Sequence, residues 1–151
     1  MATPLEAVQT ALAWFQNNVP VGTLARTTYG ALAYSTGNNQ KVLLIATAGA
    51  GANGITGTMI DALQTHLNGN NAGDHAVAGC ANTMAPPGVW HMNDAERQLM
   101  RTAELAVQEG SSLAPAGALG AIGATRVFCG SCQHFVLPHF THTAHNRLAW
   151  N

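Results

Sequence analysis

The chain has 151 residues, one domain by length and enough to bury a core without disulfide or metal staples. Only 9% of residues are charged and 47% are hydrophobic, so the surface has to be built from Ser, Thr, Asn, Gln, Gly, Ala and His. Six basic and seven acidic residues leave a net charge near zero, which disfavours tight binding of long duplex nucleic acid. No apolar run is long enough to span a bilayer, and the N-terminal Met-Ala-Thr-Pro has no secretory-signal pattern.

Leu5, Val8, Ala11, Leu12 and Phe15 recur at three- and four-residue steps, predicting an amphipathic helix over residues 4–18 with Pro4 in its first turn. Val19-Pro20-Val21-Gly22 ends it. Residues 23–36, rich in Thr and Tyr, predict a strand, and Gly37 to Gln40 a turn. Residues 41–48 form a nearly continuous apolar run, as in a strand covered on both faces. A short helix is expected over 58–67, with Met59, Ile60, Leu63 and Leu67 on one side. Residues 68–89 carry Gly, Asn and Pro with little periodicity, a connection expected to be either functional or partly ordered by its own turns. Residues 93–109 give the clearest helical pattern in the chain. Small and β-branched residues over 118–128 predict a strand, followed by a short helix over 129–137 stopped by Pro138. The tail to Asn151 is expected to supply a last strand or a packing segment. This order predicts an α/β domain with a mixed central sheet flanked by helices.

Chemistry concentrates in two places. Asp94-Ala95-Glu96 opens the 93–109 helix, and Cys129-Gly130-Ser131-Cys132 follows the last long strand. Glu96 could be no more than the acid of a capping box begun by Asn93, with Asp94 favouring the helix dipole. Counting along the helix, however, Glu96 begins the stripe of Leu99, Met100, Ala103 and Val107, which is the buried one. An ionised carboxylate aimed inward needs a partner. Two cysteines at x-x spacing suit a metal or a redox pair better than a structural disulfide, and Cys80 reads as a small buried residue. Asp94, Cys129 and Cys132 supply three ligands, the pattern of a catalytic metal site that keeps one open position.

Asn93 to Leu99 taken with Arg126 to Cys132 resembles the cytidine-deaminase-like superfamily, and within it the bacterial polymorphic-toxin deaminases, most like those acting on single-stranded DNA cytosine. Asp94 stands where that family usually has His or Cys, Phe128 where it has Pro, and residues 58–89 form a longer insertion. The resemblance implies a three-layered deaminase-like fold over residues 1–151, a single toxin domain forming the C-terminal module of a longer secreted protein. It implies a Zn2+ cofactor and hydrolytic conversion of cytosine to uracil in single-stranded DNA, with Glu96 as the proton carrier. The metal ligands it implies are Asp94, Cys129 and Cys132, with His91 as the substitute for Asp94. Trp90, His91, Asn53 and Thr56 are the candidate substrate contacts. It also implies delivery into the cytoplasm of a target bacterium and a cognate immunity protein as partner.

Other readings stand beside this one. The deaminase could act on free (deoxy)cytidine or RNA, and a non-catalytic zinc-stabilised binding module would use the cysteines alone. His75, in His75-Ala76-Val77, mimics a His-Ala-Glu motif but lacks the glutamate. Gly49-x-Gly51-x-x-Gly54 with Asp74 matches a dinucleotide fingerprint, but too few elements follow for a doubly wound sheet, and no nucleotide cofactor is expected. His139, His142 and His145, near the cysteine pair, stand either to contact phosphate or simply to cover the surface.

Overall fold

A computed structural model of the chain describes residues 1–36, 39–48, 54–80, 94–108 and 115–151. They form a mixed six-stranded sheet with helices on both faces, an α/β sandwich of three layers. Helix α1 (Pro4–Asn18) opens with a capping box: Glu6 N donates to Thr3 Oγ1, and Thr3 N donates to Glu6 Oε1, both at 3.1 Å. The one-turn helix α2 (Val21–Leu24) and strands β1 (Tyr29–Thr36) and β2 (Lys41–Thr47) follow. Then come α3 (Gly57–Gly69), β3 (His75–Gly79), α4 (Ala95–Gln108), β4 (Pro115–Ala124) and α5 (Gly130–Phe135). A 3-10 turn (Leu137–His139) leads to β5 (His142–Ala144) and β6 (Leu148–Trp150).

The sheet runs β3-β2-β1-β4-β6-β5; β2 and β3 are parallel and every other pair is antiparallel. One parallel pair around α3 is a single β-α-β unit, not the doubly wound sheet a dinucleotide would need. The fingerprint's Gly49 and Gly51 lie outside the described residues. Its Asp74 is engaged by Lys41 Nζ at 2.8 Å.

Side chains alternate across the central strands, and each face buries one core. Phe15, Ala31, Ala33, Leu43, Ile45, Leu63 and Leu67 meet under α1 and α3. Leu32, Leu44, Leu99, Met100, Ile122 and Phe128 meet under α4 and α5. Two glycines, one position out of register across the β1–β4 pair, set how closely the helices approach. A Cβ on Gly123 would lie 2.7 Å from Leu12 Cδ1 and 2.8 Å from Val8 Cγ1, so α1 needs that glycine. On the other face, a Cβ on Gly30 would lie 3.1 Å from Leu99 Cδ1 and 3.3 Å from Ala95 Cβ. Gly30 therefore lets the first turn of α4 settle onto β1.

Several expected boundaries move. The strand predicted over 23–36 is shorter, because Pro20 starts a helical turn in which Thr23 N and Leu24 N both bond Pro20 O. The stretch from residue 68 contains β3, which the lack of periodicity concealed: His75, Ala76 and Ala78 do not alternate clearly in polarity. Pro138 does not terminate α5; it sits inside the following 3-10 turn. The tail forms a hairpin, closed by a bond from Arg147 N to Ala144 O at 3.1 Å. His145 and Asn146 both have positive φ, 52° and 49°, the geometry of a type I′ turn.

Candidate metal centre

Helix α4 begins at Ala95, and Gln98 N bonds Asp94 O at 2.9 Å, so Asp94 occupies the position just before the helix. Glu96, Leu99, Met100 and Ala103 are all at most 5% exposed, as the helical stripe required. On the same face of the sheet, β4 ends at Ala124 and the chain turns into α5, with Cys129 directly before its first residue. Phe128, 1% exposed, pins that turn in the core, and Phe128 N bonds Asn146 O at 2.7 Å.

These two approaches bring the predicted groups together. Cys129 Sγ lies 3.2 Å from Asp94 Oδ2, and Cys132 Sγ lies 3.7 Å from the same oxygen. The three ligand atoms sit within 4.8 Å of one another, a group that could hold a metal ion. Glu96 completes the cluster, its Oε2 accepting from Cys132 Sγ at 2.9 Å. Glu96 is therefore directed at the cysteines and not outward toward solvent. His91, the substitute for Asp94, lies outside the described residues, as do Trp90 and Asn53.

The electrostatics are severe without a cation. Burial raises the pKa of Glu96; the bond from Cys132 and one to its own backbone oppose the rise, and the Asp94 carboxylate adds slightly to it. Burial, followed by the Glu96 charge, pushes the Cys132 thiol strongly up. Two carboxyls and two thiols thus converge at one place, where a bound positive ion would be stabilising.

The cluster opens to solvent through a cavity of about 240 Å³ lined by Asp94, Glu96 and Cys129 together with Thr28, Ala48, Arg126 and Val127. Sequence reasoning missed Thr28 and Ala48 as lining residues. Their position depends on strand register: Ala48 N bonds Thr28 O, and Tyr29 N bonds Thr125 Oγ1. Arg126 and Val127 are adjacent to the cysteine motif, and that adjacency was the available signal.

Other predicted contacts fall elsewhere. Thr56 is the N-cap of α3, its hydroxyl accepting from Met59 N at 3.2 Å, and is not among the residues lining this cavity. His75 is buried under the opposite face, with Nδ1 3.3 Å from Asp74 Oδ1. Cys80 is buried, and burial raises its thiol to about 11, as befits an inert core residue. His139, His142 and His145 are exposed, and His142 stacks on Trp150. Among the described residues no helix is long and apolar enough to cross a membrane. No protein-family model, curated protein or solved structure matches the chain.

Proposed function

We propose that this chain is a zinc-dependent deaminase that hydrolyses cytosine to uracil in single-stranded DNA. The observation that carries the reading is Glu96: a buried carboxyl bonded to Cys132 inside a three-ligand cluster that opens to a cavity. A structural metal site has no use for a fourth acidic group buried beside its ligands. A hydrolytic site needs one.

The donor set fits zinc. Tetrahedral bonds of about 2.3 Å to sulfur and 2.0–2.2 Å to oxygen separate a sulfur from an oxygen ligand by roughly 3.5 Å. The two sulfur–oxygen distances here, 3.2 and 3.7 Å, bracket that value. Asp94, Cys129 and Cys132 would hold the ion, whose binding displaces both thiol protons. When bound, zinc supplies the Lewis acidity that makes water nucleophilic near neutral pH.

Glu96 does the proton work. One of its oxygens takes a proton from water and gives it to the ring nitrogen beside C4, and later passes a proton to the departing amine. Water adds oxygen at C4, the C4–N bond breaks, and cytosine plus water become uracil plus ammonia. Arg126 offers a cation to an adjoining phosphate, and exposed Val127 offers an apolar edge to the base. The motif resemblance supports cytosine over adenine, the three-layered deaminase-like fold, and a toxin module delivered into a competing bacterium and neutralised by an immunity protein. A single strand also avoids the cost of extruding a base from a duplex.

The test is metal analysis joined to a substrate panel of single-stranded DNA, duplex DNA, RNA and free deoxycytidine. About one zinc per chain is expected, with uracil formed chiefly in single-stranded DNA. Glu96→Ala should retain zinc and make no uracil. A Glu96→Ala protein as active as the original chain, or an original chain that takes up no zinc, would falsify the reading. Uracil from RNA or free nucleoside alone would replace the substrate and keep the chemistry.

A further inference from the structure

Directly after Glu96, the side chain of Arg97 crosses from α4 to α5. Its Nη1 donates to Ser131 Oγ at 2.9 Å, and its guanidinium carbon lies 4.2 Å from the centre of the Phe135 ring. Ser131 is fully buried between the two cysteines, in the first turn of α5. Helix α4 is itself tied to the sheet one residue further on, where Gln98 Nε2 donates to Thr47 O at 2.8 Å. Helix α5 has six residues, and Cys129, at its N-cap, makes no side-chain capping bond. A turn that short has little rigidity of its own. Phe128 holds the start of α5 in the core, and the position of its cysteines relative to Asp94 depends further on how α5 is fixed against α4.

We propose that Arg97 is a positioning residue of the metal centre, setting the separation between the carboxylate on α4 and the thiols on α5. This rests on the metal-site reading above. The residue type matters: a planar guanidinium can donate in its plane while its face lies on an aromatic ring. A lysine ammonium at the same place can give the hydrogen bond or cover the ring, and not both in this geometry. Partners that orient metal ligands from outside the coordination sphere typically govern 10–100-fold in affinity.

Zinc affinity, measured by competition with a chromophoric chelator, tests this for the original chain, Arg97→Ala, Arg97→Lys, Ser131→Ala and the Arg97→Ala/Ser131→Ala double variant. The absorption spectrum of the cobalt-loaded chain reports ligand geometry alongside. Arg97→Ala is expected to bind zinc about 10–100-fold more weakly, with altered cobalt bands. Ser131→Ala should weaken binding in the same direction, the double variant should be no weaker than Arg97→Ala, and Arg97→Lys should recover only part of the loss. A merely structural brace would lower the melting temperature of the metal-free chain and leave zinc affinity and the cobalt spectrum alone; that result overturns the proposal, as do fully additive losses. If Arg97→Ala does not fold, Arg97→Lys and Ser131→Ala decide by the same two readouts. An original chain that binds no zinc removes the metal reading and this role together. An original chain that binds zinc while Arg97→Ala binds it equally well removes only the role of Arg97.

Discussion

The two faces of the sheet solve the same packing problem with different chemistry. Under α1 and α3, the buried polar groups are His75 and Thr47, and each stabilises a nearby connection. His75 Nδ1 meets Asp74 at the start of β3, and Thr47 Oγ1 accepts from Gly54 N at 3.1 Å in the loop after β2. Under α4 and α5, Glu96, Ser131 and Cys132 are buried together at 4%, 0% and 0% exposure. The bonds from Cys132 to Glu96 and from Arg97 to Ser131 join one helix to the other. A fold does not need that arrangement, since desolvating a carboxyl against a thiol costs free energy that an apolar pair would not. The buried polar groups named on the first face brace connections, whereas the cluster on the second links two helices, which is what the proposed site would use.

The largest expected effect that separates the faces is on turnover. Glu96→Gln preserves an acceptor for Cys132 but cannot carry the proton, so uracil formation should fall by about 10²–10⁴-fold. Removing a buried ionisable group should leave thermal stability unchanged or raised. A loss of folding without loss of turnover per folded chain would reverse the contrast. Phe15→Ala is the opposite case: truncating a fully buried ring under α1 should cost about 3–5 kcal/mol in denaturant unfolding. Zinc affinity of the chain that remains folded should not change.

Smaller effects sharpen the same division. Arg126→Ala, at the cavity mouth, should raise KM for a single-stranded oligonucleotide about 10-fold with kcat little altered. The salt dependence of binding should lose about 0.7 in logarithmic slope, as one phosphate contact disappears. The smallest effect is titration on the α1–α3 face. Burial lowers the pKa of His75, with Asp74 partly opposing it, so the unfolded chain binds a proton more readily than the folded one. Stability should then fall as pH drops from above 6.5 toward the lowered folded value. His75→Gln should flatten that part of the urea-midpoint profile; an unchanged slope would assign the pH dependence to another group.

Much of this was legible in sequence where periodicity was strong. The stripe from Glu96 through Leu99, Met100 and Ala103 predicted an inward glutamate, and the x-x spacing of Cys129 and Cys132 predicted paired ligands on one turn. Local signals of that kind survive folding because a helix fixes them. The cavity lining was not legible: Thr28 and Ala48 reach it through the pairing of β1 with β2 and β4, which no short-range pattern encodes. β3 was hidden because its parallel pairing to β2 leaves no clean alternation, and the His145–Asn146 turn lacks the Asn-Gly or Asp-Gly pair that announces a hairpin. The role of Arg97 was not legible either, because Ser131 and Phe135 reach it only through the packing of α5 against α4.

The pairing of β1 with β4 also governs the order in which the molecule can assemble. Tyr29 N and Thr125 Oγ1 meet across 96 residues of sequence, whereas β1 and β2 close as a local hairpin. Loop closure over such a span is paid late, after local structure has formed. If β4 joins β1 late in refolding, the thiols of Cys129 and Cys132 stay bare until then. The interval before that closure is when an oxidant, or a stray metal, has freest access to them.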